Sequence, residues 1–286
     1  MVTTIAALAA LWFTNQSLKA NGDQYGLARQ TAVTERFAKA IEQLGDKDAM
    51  DVRLGGIYLL ERLSSDSPPD RKAIFEVLGS FVRGHSPNST DCGADHRTLL
   101  PIDVQAALTV IGRRGVGSPE QIDLTSTCLA NADLIDANLR SAKLYGANLT
   151  RARLSGADLA NAILISADMN GASLSRADLH RASFGHTNLQ NTTWIGARLN
   201  QASLQECDLR GALLGSADMR NAYFIGADLR GTIFVNHTYA EWVPDHPPLF
   251  DHDWTTERGE NLRGARFDKA RIDDSTQWPQ GFVPTL

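Results

Sequence analysis

The sequence predicts an α + all-β solenoid, in which a helical N-terminal region caps a long β-helix. Three observations predict it. A large apolar residue recurs every five positions from Leu124 to Phe234, 23 times without a slip. Seventeen of the 23 positions two residues earlier are Ala. The residues before this array carry their apolar side chains at helical spacing instead. A helix repeats near 3.6 and a strand near 2, so a period of five belongs to neither.

The helical elements come first. "TAVTERFAKAIEQL" spaces Val33, Phe37, Ile41 and Leu44 along one helix face, with Gly45 as its stop. "DVRLGGIYLLERL" spaces Val52, Leu54, Ile57, Leu60 and Leu63 on a wide apolar face, ended by Pro68 and Pro69. "RKAIFEVLGSFVR" gives Ile74, Val77, Leu78, Phe81 and Val82. A polar loop from His85 to Arg97 leads to a short helix in "DVQAALTVIGRR". Gly115 to Pro119 reads as a linker. "GRRGVGSPE" has glycines but lacks the strand–loop–helix frame of a phosphate site.

The array then begins at Ile122. Most central positions are Leu, with Met169, Phe184, Trp194, Met219, Phe224 and Phe234 as the exceptions. The six small positions that are not Ala are Ile122, Thr127, Thr187, Thr192, Cys207 and Thr232. "ANL", "ADL" and "ADM" recur in this register, and the stretch resembles the pentapeptide-repeat family, whose unit is A-(D/N)-L-x-x. The resemblance covers Ile122 to Asn236. It implies a right-handed quadrilateral β-helix with four pentapeptides per coil. "RFAKAIEQLG…DVRLGGIYLLERL", with the end "TQWPQGF", further resembles a bacterial subgroup that places membrane segments before a helical region. The resemblance implies no enzymatic activity and no cofactor.

Packing agrees with that implied fold. A four-sided coil has a narrow axis, which takes one Leu-sized side chain per face and requires a small inward neighbour. Coils stack at strand spacing, so nearly six of them make a rod roughly 28 Å long. Each buried Leu contributes roughly 1.5–3 kcal/mol. Phe184 and Trp194, ten residues apart, fall on opposite faces of one coil, and Phe224 and Phe234 repeat this. The register breaks after Phe234. Leu262, Phe267 and Ile272 resume it with Ala265 and Ala270 in the small positions, and Trp278 and Phe282 close the end. The chain therefore reads as five segments: an apolar N-terminal segment (1–22), a helical region (23–115), the repeat array (116–236), a His- and Pro-containing loop (237–259) and a last partial coil with its cap (260–286).

Val2 to Phe13 is apolar apart from Thr3 and Thr4. That is shorter than the roughly 20 residues a spanning helix needs. It reads either as a membrane anchor or as an amphipathic docking helix. Lys19 and Arg29 behind it favour a cytoplasmic body, at the inner membrane face if the segment anchors. Cys92, Cys128 and Cys207 are odd in number with no C-x-x-C spacing, which argues against a disulfide framework and a zinc site. Cys128 is expected outward and unpartnered, Cys207 inward in place of an Ala. Reduced thiols fit a cytoplasmic location.

Function must lie on the outside of the rod. A net charge of −5 excludes a basic nucleic-acid binder. Residues twenty apart stack, so Asn148, Asp168, Asn188, Asp208 and Asp228 form one column and Asn138, Asp158, Asp178, Arg198 and Asp218 another. Such columns invite comparison with pentapeptide-repeat proteins that imitate DNA and bind type II topoisomerases. That mechanism needs a sustained negative field. Ile122 to Asn236 carries ten acidic and ten basic residues, and Arg210, Arg220 and Arg230 each follow an Asp by two. A different face carries Tyr145, Ile163, Ile165, Tyr223 and Ile225 as candidate partner-surface residues. They read either as the seat of the chain's own helical region or as a surface for a protein partner or a second copy.

One further set has chemistry. His237, His246 and His252 lie beside Asp245, Asp251 and Asp253. Imidazole with carboxylate is metal-competent, so His237, His246, His252 and Asp251 are weak metal candidates, although the spacing matches no known site. His180 and His186 face outward singly. G-x-S-x-G, H-E-x-x-H and G-x-x-x-x-G-K-[ST] are all absent from the chain. The expected function is a non-enzymatic scaffold or protein–protein interaction module.

Overall fold

The computed structural model describes residues 31–92, 99–115, 117–234, 262–279 and 282–286. The apolar segment 1–22 and the loop 237–259, with His237, His246, Asp251 and His252, lie outside the described residues. Among the described residues no helix is long and apolar enough to cross a membrane. The chain divides into two compact units, one ending at Ile74 and one beginning at Phe75.

The first unit contains α1 (residues 31–44), α2 (Met50–Asp66) and the start of α3 (Arg71–His85). Asp46 turns the chain between α1 and α2. Its Oδ1 accepts from the Ala49 amide at 2.7 Å and the Asp48 amide at 3.0 Å, and these bonds hold its carboxyl below the usual range. The helices meet at Gly56, where a Cβ would lie 2.8 Å from the Ala40 carbonyl oxygen and 3.0 Å from Leu44 Cδ1. That close approach turns α1 inward on Ala40 and Leu44. It leaves Ile41, expected in the core, 39% exposed. In α2 the inward residues are Ile57, Leu60 and Leu63, while Val52 is outside.

The second unit is built from the rest of α3, from α4 (Ile102–Gly112) and from the coils. Each of the first five coils takes twenty residues and four turns. Parallel bridges join each residue before a central position to the one twenty further on, as in Lys143 to Ile163 to Ser183. Leu124 N donates to Lys143 O, Ser126 N to Tyr145 O, and Lys143 N back to Ile122 O, each at 2.8 Å. The bridges stay isolated because a corner interrupts each face. Corners close with bonds such as Ala132 N to Leu129 O, and the residue two after every central position from Ser126 to Gly231 has positive φ. This is what a type II turn needs at its third residue. Gly fills only some of these corners. The others are side-chain-bearing residues such as Asn131, Asp136 and Arg176, which cost roughly 1–2 kcal/mol each and are held there by the ladder bonds on both sides.

The axis is filled as the period requires: central residues and their Ala partners are buried along the whole array. The inward Thr residues do more than replace Ala. Thr187 Oγ1 donates to Leu164 O at 2.7 Å and Thr232 Oγ1 to Leu209 O at 2.9 Å, so the buried hydroxyls are satisfied. Cys207 Sγ lies 3.0 Å from Phe184 O in the same kind of site. Phe184 and Trp194 meet edge to face at 5.5 Å, and Trp194 Nε1 donates to Thr192 Oγ1 at 2.7 Å.

The open edge of the first coil is covered on all four sides by the residues before it. Arg83 Nη1 donates to Asp123 O at 2.5 Å. Ser86 O accepts from Cys128 N at 2.7 Å, and Ser86 Oγ donates to Cys128 O at 2.5 Å. The Gln105 amide acts as a short strand, giving Nε2 to Asp133 O at 2.8 Å and taking Asp133 N on Oε1 at 3.0 Å. Gly112 O accepts from Asn138 N at 2.8 Å. Arg114, 5% exposed, completes the fourth side through Nε to Asn138 O at 2.9 Å, Nη2 to Arg140 O at 2.6 Å, and Nη1 to Glu120 O. An uncovered edge would template pairing with another chain.

One expectation is overturned here. Cys128 is not unpartnered: it forms a disulfide with Cys92, 36 residues away in sequence. The odd count concealed the pair because the third cysteine, Cys207, sits alone in the axis. Cys92 and Cys128 are therefore not reduced thiols and lend no support to a cytoplasmic location.

At the far end Leu262 and Phe267 rejoin the axis, 1% and 2% exposed. Asn221 N donates to Arg263 O just as Gln201 N donates to Arg220 O a coil earlier, so Leu262 completes the sixth coil. The register then slips by one. Tyr223 pairs with Arg266 and Asp228 with Arg271, but Ile233 pairs with Gln277, because the turn from Asp273 to Thr276 holds an extra residue. Ile272 is consequently only half-buried. Phe267 stacks on Phe224 at 5.0 Å and Trp278 on Phe234 at 4.6 Å, and Phe282 closes over both.

Candidate partner-binding faces of the coil stack

Each coil unit turns three of its five positions outward. The residue before the central position is Asp or Asn in much of the array for a backbone reason. Its side-chain oxygen accepts the amide two residues on: Asp158 from Ala160 at 3.0 Å, Asp168 from Asn170 at 3.1 Å, Asp178 from His180 at 3.1 Å. Asn148 and Asn188 make the same bond, at 2.9 Å and 3.2 Å. Asp and Asn are interchangeable for this turn, so the columns need an oxygen and not a charge.

Towards the C-terminal end the carboxylates are also neutralised. Arg210 donates Nη2 to Asp208 at 2.6 Å, Arg220 to Asp218 at 2.7 Å and Arg230 to Asp228 at 2.6 Å. Arg271 adds a second cation 3.5 Å from Asp228. The Arg230 hydrogen bond, opposed by burial, holds the Asp228 carboxyl below its usual range. Burial raises the Asp208 carboxyl, but its bonds from Arg210 outweigh that and leave it lowered. Because both folded values are depressed, their stabilisation is complete above the unfolded pKa of about 3.9 and is lost as pH falls through the folded values. The coils around Asp208 and Asp228 should therefore lose exchange protection in acid before those around Leu164, and Asp228→Asn should cost about 1 kcal/mol at pH 7 by denaturant titration and blunt that acid response.

The Leu124 face carries the apolar candidates. Its two outer columns run Lys143, Ile163, Ser183, Ser203, Tyr223 and, from the register, Tyr145, Ile165, Gly185, Gln205, Ile225. Tyr145 is 51% and Tyr223 37% exposed, with Ile163, Ile165 and Ile225 half-buried. The structure thus places two apolar clusters on this face with two polar coils between them. A third apolar group, Ile195 with the bridged pair Leu213 and Ile233, lies on the Leu134 face. The signal for it was available, since the column that ends in Leu213 and Ile233 is polar in the earlier coils, as Asp133, Arg153, Ser173 and Thr193.

The histidines of the array are not solitary. His180 Nδ1 lies 2.8 Å from Asn200 Nδ2, and His186 Nδ1 lies 3.2 Å from Glu206. Among the described residues no group of three or more His, Cys, Asp or Glu is arranged to hold a metal.

The profile of the family described as "Pentapeptide repeats" matches in eight copies over residues 120–156, 152–191, 177–215 and 197–236. No protein among the curated sequences matches the chain. Similar solved structures include Rfr23, a pentapeptide repeat protein from the cyanobacterium Cyanothece 51142, at 27% identity and TM-score 0.27. That match covers 42% of this chain, which spans 63% of Rfr23. HetL of Nostoc sp. strain PCC 7120, a pentapeptide repeat protein involved in heterocyst differentiation regulation, matches at 25% identity and TM-score 0.25, covering 58% of this chain and 73% of HetL. QnrB1, a plasmid-mediated fluoroquinolone resistance protein, matches at 19% identity and TM-score 0.26, covering 53% and 78%. Residues 120–236, with their unbroken period of five, are a segment of the pentapeptide-repeat family.

Proposed function

We propose that this chain is a non-enzymatic protein–protein interaction module, a right-handed quadrilateral β-helix that presents the Leu124 face to a protein partner. The observation that carries the reading is the exposure of Tyr145 and Tyr223 at the heads of two apolar clusters aligned on one face. Exposed apolar clusters on a rigid frame mark contact surfaces. Tyr145, Ile163 and Ile165 form the first contact, Tyr223 and Ile225 the second. Tethering of the module to a membrane through residues 1–22 belongs to the same proposal, as does the five-segment division of the chain.

Imitation of DNA towards a type II topoisomerase has less support. The array is neutral, and its Asp residues are tied to backbone amides or to Arg. The test of the proposal is affinity capture from cells, with and without detergent, using wild type and Ile165→Asp. Loss of the captured partner with an unchanged melting temperature is expected. A large loss of stability would make the face a seat for this chain's own residues instead.

A further inference from the structure

We propose that the Cys92–Cys128 disulfide is a redox-operated latch, which a dithiol reductant opens to free residues 89–92 from the first two coils while the coil stack stays folded. The bond joins the segment after α3 to the outer surface of the Leu129 face. Both cysteines are half-buried at the surface, unlike Cys207, which is 1% exposed in the axis with its thiol pushed up to about 12 by burial. Cys92 and Cys128 are therefore within reach of a protein dithiol, and Cys207 does not compete as a thiolate.

The closure of the coil edge does not depend on this bond. Arg83, Gln105, Gly112 and Arg114 hold three sides, and Pro87 pairs antiparallel with Thr127 on the fourth, with Asn88 N donating to Ser126 O at 2.8 Å. What the disulfide holds is the polar stretch beyond, Ser89-Thr90-Asp91-Cys92, which has no apolar residue to bury. A further tie to the coils, among the described residues, is Asn148 Nδ2, donating to Cys92 O at 3.0 Å. Opening the latch uncovers Asn148, now 9% exposed, next to Gly146 and Tyr145 at the head of the proposed binding face.

The chemistry balances as thiol–disulfide exchange. A thiolate of the reductant attacks one sulfur of the bond and forms a mixed disulfide. Its second thiol displaces that sulfur, so the reductant leaves as a disulfide, and Cys92 and Cys128 gain two electrons and two protons.

The test uses the full chain treated with a thioredoxin-type dithiol protein under non-denaturing conditions. Alkylation of Cys92 and Cys128 is quantified by mass spectrometry, and amide exchange is followed along the chain. Both cysteines should become alkylated, and exchange across residues 89–92 should rise at least about tenfold, with Cys128 and the coils from Leu164 onward unchanged. Cys92→Ser should show the same open pattern without reductant. A bond that resists the dithiol until the coils unfold, reduction that loosens the whole stack, or wild-type exchange in Cys92→Ser would each overturn the proposal.

Discussion

Trp194→Ala should destabilise the coil stack by about 3–5 kcal/mol, read as a lower denaturant midpoint. Trp194 is fully buried and heads the largest side chains of the axis. Its removal deletes the edge-to-face contact with Phe184 and leaves a cavity that the ladder bonds of two neighbouring coils prevent from collapsing. Thr192→Val isolates the polar part of the effect. Thr192 Oγ1 donates to Leu189 O at 2.6 Å and accepts from Trp194 Nε1 at 2.7 Å. Valine keeps the volume and orphans the indole N–H, at about 1–3 kcal/mol. A loss under about 1 kcal/mol for Trp194→Ala would mean that the axis is looser than its burial implies.

Arg114→Met should cost about 3 kcal/mol or more and loosen the first coil selectively. The guanidinium is bonded to the carbonyls of Glu120, Asn138 and Arg140, three points on one corner of the coil edge. Burial lowers its pKa from the ordinary value, opposed by Glu120 and Asp158, but an arginine remains charged throughout. Methionine fills the space of the stem and supplies no donor. Amide exchange should then accelerate at Asn138 and Leu139 with little change beyond Leu164, because each coil contacts only its neighbours. Arg114→Lys tests the geometry. A single ammonium does not span three diverging carbonyls, so wild-type stability in that variant would contradict the assigned role.

The axis was legible in the sequence because its constraint is steric and repeats. Each face takes one large apolar and one small residue, mostly Leu and Ala, so the period of five states the coil directly. Corners were less legible. Their positive φ tolerates Ser, Asn, Asp, Arg, His, Gln, Glu and Gly alike, since the ladder bonds and not the side chain enforce it. The cap was legible as helices ahead of the array, but the contacts by which it covers the coil edge were not. Gln105 and Arg114 look like ordinary surface residues until the Asp133 and Asn138 backbones are set beside them. The disulfide was hidden for the same reason: Cys92 and Cys128 are 36 positions apart in sequence, and no spacing rule covers that return. In the candidate site, stacking twenty apart aligned Tyr145 with Ile165 correctly. It also made the acidic columns look functional, when each Asp is first of all the acceptor that holds its own turn.

That distinction between the two kinds of column is the core of the functional account. Binding of the captured partner should be titrated against wild type, Ile165→Asp and the double variant Asp158→Asn/Asp178→Asn, each with a melting curve. Ile165→Asp should weaken binding by at least about 100-fold, in the range of hot-spot losses, while the double variant should bind and melt like wild type. Intact binding by Ile165→Asp, with binding lost in the Asn double variant, would contradict it and place recognition on the acidic columns.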